Sequence, residues 1–235
     1  MNEDYFKANR TLWDASTAIH ERSAFYDVPG FKAGKSSLKP VELEEVGDVR
    51  GKSLLHLQCH FGLDTLSWAR LGARVTGVDF SPEAVRLARS LAAELNLEAR
   101  FVLSNVYDLP AALGEQFDVV FTSYGVLCWL PDLARWAQTV AHFLKPGGTF
   151  YAVEFHPVAL TLDDEGRPFK YPYFHSPEPL NFEGAGDYAD RAADFPHASY
   201  EWFHPLGDIV TSLINAGLRI EFLHEFPFSS YATWP

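Results

Sequence analysis

Residues 53–85 read SLLHLQCHFGLDTLSWARLGARVTGVDFSPEAV. A short apolar run, Ser53 to Gln58, leads through a turn into a helical-period segment from about Asp64 to Leu71. A second β-type run, Arg74 to Val78, follows and ends on Asp79. Strand, helix and strand in so few residues form the repeating unit of a parallel sheet with helices on its faces. The next helix carries its own start signal. Ser81 can accept an amide hydrogen bond at the helix N-terminus, Pro82 suits the first helical position, and Ala84, Leu87, Ala88, Leu91 and Leu95 recur at helical spacing.

The same alternation continues to about residue 154. A third strand is expected at Arg100 to Leu103 and a fourth at Phe117 to Thr122. Leu133, Trp136, Ala137, Val140 and Leu144 then mark one buried helical face, stopped by Lys145, Pro146, Gly147 and Gly148 before a fifth strand at Thr149 to Glu154. Residues 155–204 break the pattern with Pro157, Pro168, Pro172, Pro177, Pro179 and Pro196 among many aromatics, which reads as functional cover and not as disorder. Leu206, Ile209, Val210, Leu213 and Ile214 restore a helical face, closed by Gly217, and a strand is expected from Leu218 to Phe226. Ahead of the sheet, Tyr5 to His20 looks helical and VPGFKAG (Val28 to Gly34) looks like a loop.

The expected fold is therefore one α/β domain, a Rossmann-like, doubly wound, mostly parallel sheet with helices on both faces. Its core spans 46–154 and 205–235, preceded by a helical and loop segment (1–45) and interrupted by the aromatic, proline-rich insertion (155–204).

At 235 residues, 47% hydrophobic and 21% charged, the chain can bury one substantial core. It has no apolar run of the ~20 residues a bilayer span needs and no basic-then-apolar leader, so a soluble, cytoplasmic protein is expected. Cys59 and Cys128 are too few for a disulfide scaffold. With 31 acidic against 19 basic residues the net charge is −12, and no Lys/Arg cluster offsets it, which disfavours nucleic acid as a partner. His156, His175, His197 and His204 match no compact ligand spacing, so no metal is expected.

In an open α/β sheet the ligand lies beyond the carboxyl ends of the strands. Three groups should then converge: the turn Gln58 to Asp64, Asp79 at the end of the second strand, and Ser123 to Leu127 after the fourth. Asp79 follows Gln58 by 21 residues, close to the offset at which an acidic side chain grips ribose hydroxyls in nucleoside-binding sheets.

At this point LHLQCHFGLDTLSWARLGARVTGVDFSPEAV (55–85), FDVVFTSYGVLCWL (117–130) and LKPGGTFYAVE (144–154), in that order, resemble a class I S-adenosylmethionine-dependent methyltransferase of the small-molecule type. The resemblance implies strand order 3-2-1-4-5-7-6, or a sheet lacking the seventh strand. It implies that Asp79 holds the ribose, Phe80 and Ser81 flank the adenine, and Asn105 with Val106 meets the adenine edge. Ser123 and Tyr124 would line the methionine moiety, and Lys145 to Gly148 would form a structural turn. The cofactor-binding set is then Gln58, Cys59, His60, Phe61, Gly62, Asp79, Phe80, Ser81, Asn105, Val106, Ser123 and Tyr124.

The sequence departs from the family at its glycine-rich turn, where His56, Gln58 and His60 replace an acidic residue and two glycines and only Gly62 remains. Side chains there block the close approach that bare glycine allows, so either Gln58 and His60 hydrogen-bond the cofactor directly or His60 points away and only shapes the turn. The altered turn also keeps open a binding protein without catalysis. A dinucleotide-dependent oxidoreductase is the other alternative, although its ligand needs a pyrophosphate cradle that this turn lacks.

Methyl transfer is an in-line displacement governed by alignment, and a general base helps where the acceptor holds a proton. Tyr124, Glu154 and His156 stand at the ends of strands four and five, and Tyr124 and His156 are the catalytic candidates. Trp13, Tyr124 and His156 are expected against a small-molecule acceptor, with Tyr5, Phe6, Trp13, His20, Phe25 and Tyr26 forming a lid. The tail Pro227 to Pro235 reads poorly as a strand, and an unpaired sheet edge would invite a homodimer.

Overall fold

The structure, a computed structural model, describes residues 3–163 and 166–229. Five parallel strands, β1 (Ser53–Leu57), β2 (Arg74–Asp79), β3 (Ala99–Leu103), β4 (Phe117–Thr122) and β5 (Leu144–Ala152), stand in the order β3-β2-β1-β4-β5. The order reverses between β1 and β4, which opens a crevice at their carboxyl ends.

Helices cover both faces. α4 (Leu63–Arg70) and α5 (Pro82–Glu94) lie on one, and α7 (Leu133–Phe143) and α8 (Leu206–Asn215) on the other, numbered after three N-terminal helices and with α6 (Leu109–Ala112) between. The strands are apolar on both sides because both sides are covered. Leu54 packs with Trp68, Phe121 and Tyr151, whereas its neighbour Leu55 packs with Val120, Trp136 and Val140. α5 starts as its sequence dictates, with the Ser81 hydroxyl accepting from the Ala84 amide at 3.0 Å.

Gly62 and Gly77 lie against the ring of Phe101. A Cβ on Gly77 would come 2.7 Å from that ring and 2.8 Å from Cys59 Sγ, and one on Gly62 would come 2.6 Å from the same ring. These contacts seat the β1–α4 turn directly on the core.

The N-terminal segment folds as α1 (Glu3–Arg22), α2 (Val28–Lys32) and α3 (Pro40–Val46). The expected loop at Val28 to Gly34 is in part helical. The Asp27 side chain accepts from the Gly30 amide and Pro29 occupies the first turn, a capping signal present in the sequence. Lys145 to Gly148 is a correction of another kind. Instead of a turn ahead of the strand, it forms the irregular start of β5, with a register shift opposite Phe117 and Val119 and Gly147 at φ +77°. The stretch that separates helix from strand is thus a bulge in the pairing, held where Lys145 Nζ donates to Asp118 Oδ1 (2.9 Å) and Ser53 Oγ (3.1 Å).

The insertion contains an antiparallel pair, β6 (Leu180–Gly184) and β7 (His197–Glu201), which packs on α1. Asn9 clamps the two together, its amide donating to Tyr200 O (2.7 Å) and accepting from Tyr200 N (2.9 Å). Leu218 to Phe226 is not a strand, and among the described residues no sixth or seventh strand joins the main sheet. A period of two reports only which side chains share a face; a strand also needs a ladder partner, and this segment has none among the described residues. The tail beyond Ser229 lies outside the described residues. No described helix is long and apolar enough to cross a membrane.

Because Gly77 has ordinary backbone angles, Gly77→Ala tests space alone. The variant is expected to lose about 1–3 kcal/mol in urea unfolding, from crowding of Phe101 and Cys59, with an unchanged far-ultraviolet spectrum.

Candidate active site

The turn after β1 is built from left-handed backbone at alternate positions, with φ of +56° at Gln58, +51° at His60 and +81° at Gly62. Each such angle costs a side-chain-bearing residue roughly 1–3 kcal/mol, so the surroundings must impose it. They do so through four hydrogen bonds. Cys59 N donates to Val78 O (2.8 Å), Gly62 N to Cys59 O (2.9 Å), Gln58 Nε2 to Val126 O (3.0 Å), and His60 N to Asp79 Oδ2 (2.7 Å). Only at Gly62 does the core exclude a Cβ. The turn therefore keeps the glycine-type backbone while Gln58 and His60 carry side chains into the crevice.

Asp79 is nearly buried, and its second oxygen accepts from Ser81 N at 2.9 Å. Burial pushes the carboxyl up to about 6, against the pull of the Ser81, His60 and Phe80 amides. With three amides on it, the carboxylate keeps about one of its roughly four acceptor positions for a ligand. Two further acceptors in the same turn, Gln58 Oε1 and His60 Nδ1, are buried with no hydrogen-bond partner. Buried acceptors without donors are rare in folded chains and mark a place for a ligand or ordered water.

These residues line a cavity of 430 Å³, within the range of small-molecule sites. Trp13, Gln58, Cys59, His60, Phe61, Gly62, Asp79, Phe80, Asn105, Val106, Ser123 and Tyr124 all lie on its wall. Ser81 does not: its hydroxyl caps α5 and donates to Asp14 Oδ1 at 2.5 Å. His156 is also outside. The chain turns outward after β5, and His156, about one-third exposed, pairs with Glu225 through Nε2 (2.6 Å) and accepts from Val158 N at Nδ1 (3.1 Å). It lines an adjoining, more open cavity that shares Trp13, Tyr124 and Trp129 with the first, and Glu225 engages its Nε2.

At the end of β4, Ser123 Oγ lies 3.2 Å from both His56 Nε2 and Asp64 Oδ2, and Thr65 Oγ1 lies 2.8 Å from His56 Nδ1. Burial lowers His56 to about 4, so it is neutral, a structural occupant of a position where the sequence had suggested a missing acid. Tyr124 sits beside Glu42 and Asp64, and burial together with those carboxylates pushes its phenol far above the usual range. It is a hydrogen-bond donor at any working pH, not a base. Burial raises Glu42 to about 7. Nothing in the sequence marked Glu42, which arrives from α3. Glu154 has a positioning part: Oε1 accepts from Gly125 N and Phe155 N (2.7 Å), and Oε2 from Val126 N (2.8 Å) and Leu127 N (3.1 Å). That one carboxylate fixes the loop after β4.

The outer wall is aromatic and comes from α1 and the segment after it, the turns after β1 and β4, and the insertion. Trp13 packs edge-on to His60 (5.1 Å) and Trp129 (5.3 Å), Tyr26 lies 4.9 Å from Phe61, and the Tyr26 and Tyr188 hydroxyls share a short hydrogen bond. His20 of α1 bridges the turn to the insertion, with Nδ1 2.7 Å from His60 Nε2 and Nε2 2.9 and 3.0 Å from the Asp187 oxygens. Sequence reasoning had named His20 only as part of a lid and had not named Asp187, which no local pattern distinguishes.

A methyltransferase-domain family profile matches residues 55–152. A ubiquinone biosynthesis O-methyltransferase of Xanthomonas euvesicatoria pv. vesicatoria is 35% identical over 202 residues, covering 84% of this chain and 76% of that one. The namesake from Xanthomonas oryzae pv. oryzae is 35% identical over 150 residues, and the match spans 62% of either chain. Among solved structures, an S-adenosylmethionine dependent methyltransferase from Mesorhizobium loti is similar in fold, with TM-score 0.56 at 23% identity over 88% of this chain and 86% of that one.

Asp79 and Glu42 both bind a proton more tightly in the fold than in the unfolded chain, whose usual values are 3.8 and 4.5. Their contribution to stability is full below those values and is lost as pH rises through about 6 and 7. Urea stability of the ligand-free protein is expected to fall from these two groups between about pH 4 and 7. Asp79→Asn should flatten part of that fall and match or exceed the parent at pH 8; a steeper fall in the variant would contradict this account.

Proposed function

Because this chain belongs to the class I S-adenosylmethionine-dependent methyltransferases, we propose that it methylates a hydroxyl of a small, ring-bearing acceptor in the cavity between β1 and β4. One observation carries the reading: the left-handed turn, anchored on Asp79, turns two unpartnered acceptor atoms and a carboxylate toward one cavity. S-adenosylmethionine brings the complementary groups, two ribose hydroxyls and an ammonium, all donors. The residues fit it. Asp79 would hold the ribose, Phe80, Asn105 and Val106 the adenine, and Gln58 and Ser123 the amino-acid end.

When bound, S-adenosylmethionine supplies a methyl carbon made electrophilic by the adjoining sulfonium. The protein's part is to align the acceptor with that carbon and keep water away, and alignment lowers such barriers by ~7–11 kcal/mol. Trp13, Trp129, Tyr26 and Tyr188 give a planar acceptor flat apolar surfaces. α1 and the insertion, joined by Asn9 and β7, act as the lid that excludes water. Relatives named for O-methylation favour oxygen as the atom methylated. The dinucleotide reading gives way to family membership.

S-adenosylhomocysteine at 100 times its dissociation constant is expected to stabilise the protein by ~2.7 kcal/mol in thermal unfolding, NAD to have no effect, and Asp79→Ala to abolish the shift. Transfer of labelled methyl to a panel of phenols and catechols then separates an enzyme from a silent binder. A shift with NAD alone, or none with S-adenosylhomocysteine, refutes the assignment.

A further inference from the structure

Asp187, His20 and His60 come from three separate segments, the insertion, α1 and the β1–α4 turn, and form one unbroken hydrogen-bonded chain. The His20 and Asp187 side chains are 0% and 5% exposed. The direction of the chain follows from its outer end. A carboxylate only accepts, so His20 Nε2 carries a hydrogen and donates to both Asp187 oxygens, at 2.9 and 3.0 Å. Were the hydrogen of the 2.7 Å contact on His20 Nδ1, a neutral His60 would carry its own on Nδ1, buried with no acceptor, and orphaned buried donors are rarer than orphaned acceptors; the proton therefore belongs to His60 Nε2. That leaves His60 Nδ1 a bare lone pair, and it is the buried atom without a partner.

We propose that His60 is the general base of methyl transfer, taking the acceptor's proton at Nδ1, and that His20 and Asp187 are positioning residues that fix its tautomer and stabilise the charge it takes up. The inference rests on the function proposed above. The acceptor oxygen forms its bond to the methyl carbon as the carbon–sulfur bond breaks, and that bond's electron pair stays on sulfur. The hydroxyl proton passes to His60 Nδ1, and the imidazolium so formed is held through its Nε2–H by His20, whose own Nε2 stays on the Asp187 carboxylate. One proton leaves to solvent when the chain resets, which balances the charge lost from the sulfonium.

The carboxylate fixes the tautomer of the inner imidazole, as the buried Asp of a hydrolase triad fixes its His. The surroundings favour this use. His60 is edged by Trp13, Tyr26, His20 and Phe61 and its backbone is held by Asp79; burial among these rings holds the imidazole well below the usual histidine range, so neutral is the resting state. The left-handed backbone at His60 has the same explanation: a glycine there would keep the turn and lose the base.

The experiment uses the full chain, His60→Asn, whose side chain tolerates left-handed backbone, and Asp187→Asn. S-adenosylhomocysteine affinity of Asp187→Asn should stay within ~3-fold of the parent. Single-turnover transfer to catechol, protonated at assay pH, should fall ~100-fold or more, within the usual range for a lost general base. Transfer to 4-nitrocatechol, largely ionised there, should fall less than ~5-fold. Equal losses with both acceptors, or loss of affinity matching the loss of rate, would overturn the base.

Nitrogen-15 spectra of histidine-labelled, ligand-free protein give an answer without turnover. His60 should be neutral with hydrogen on Nε2, and Asp187→Asn should shift the His20 signals. A hydrogen on His60 Nδ1 ends the proposal. A wild type that binds no S-adenosylhomocysteine removes the methyltransferase reading itself, whereas one that binds it and fails the acceptor comparison removes the proton chain alone.

Discussion

The 2.7 Å hydrogen bond from the His60 amide to the Asp79 carboxylate is the joint on which this molecule turns. It ties the first turn of the sheet to the end of the neighbouring strand and holds His60 in a backbone conformation that side chains avoid. The Val78 carbonyl secures the preceding residue, and the Phe101 ring beneath leaves room for nothing but hydrogen at Gly62. Core packing and site geometry are therefore one structure. A change beneath the turn, at Gly77 or Phe101, reaches the cavity without touching it.

This arrangement accounts for a turn that departs from the glycine-rich pattern of its family. Glycine serves there for two separable reasons, an accessible left-handed φ and the absence of a Cβ. At Gly62 the second reason holds. At Gln58 and His60 only the first does, and hydrogen bonds to Val126 and Asp79 compensate for it. Strain borne at those positions gives the cavity two polar side chains on rigid backbone, a better mounting for chemistry than a mobile loop.

The cavity is closed by parts of the chain that are not in the sheet. α1 meets the insertion through Asn9 and β7, and His20 joins both to the turn through Asp187 and His60. None of these partners is near another in sequence. Burial on three sides also makes the acidic groups of the site unusual: Asp79 and Glu42 are raised by desolvation, a cost to the empty fold that a donor-rich ligand would offset.

The five parallel strands, their helices, the Ser81 cap and the convergence of residues 58–64, 79 and 123–127 were legible in the sequence, because local periodicity and capping chemistry act over a few residues. α2 was legible too, in Asp27 and Pro29, but the glycine beside them drew attention to a turn. The bulge at Lys145 to Gly148 and the unpaired stretch from Leu218 depended on the neighbouring strand, which no local pattern contains. The same holds for the site. Sequence alone determined that an acid would stand after β2 beside a turn carrying Gln58 and His60. Only the tertiary structure decided that His156 would face outward, that Tyr124 would keep its proton, and that a buried aspartate 167 positions from His20 would orient two imidazoles. Hydrogen bonds and desolvation act through space, and the folded chain alone sets which groups share that space.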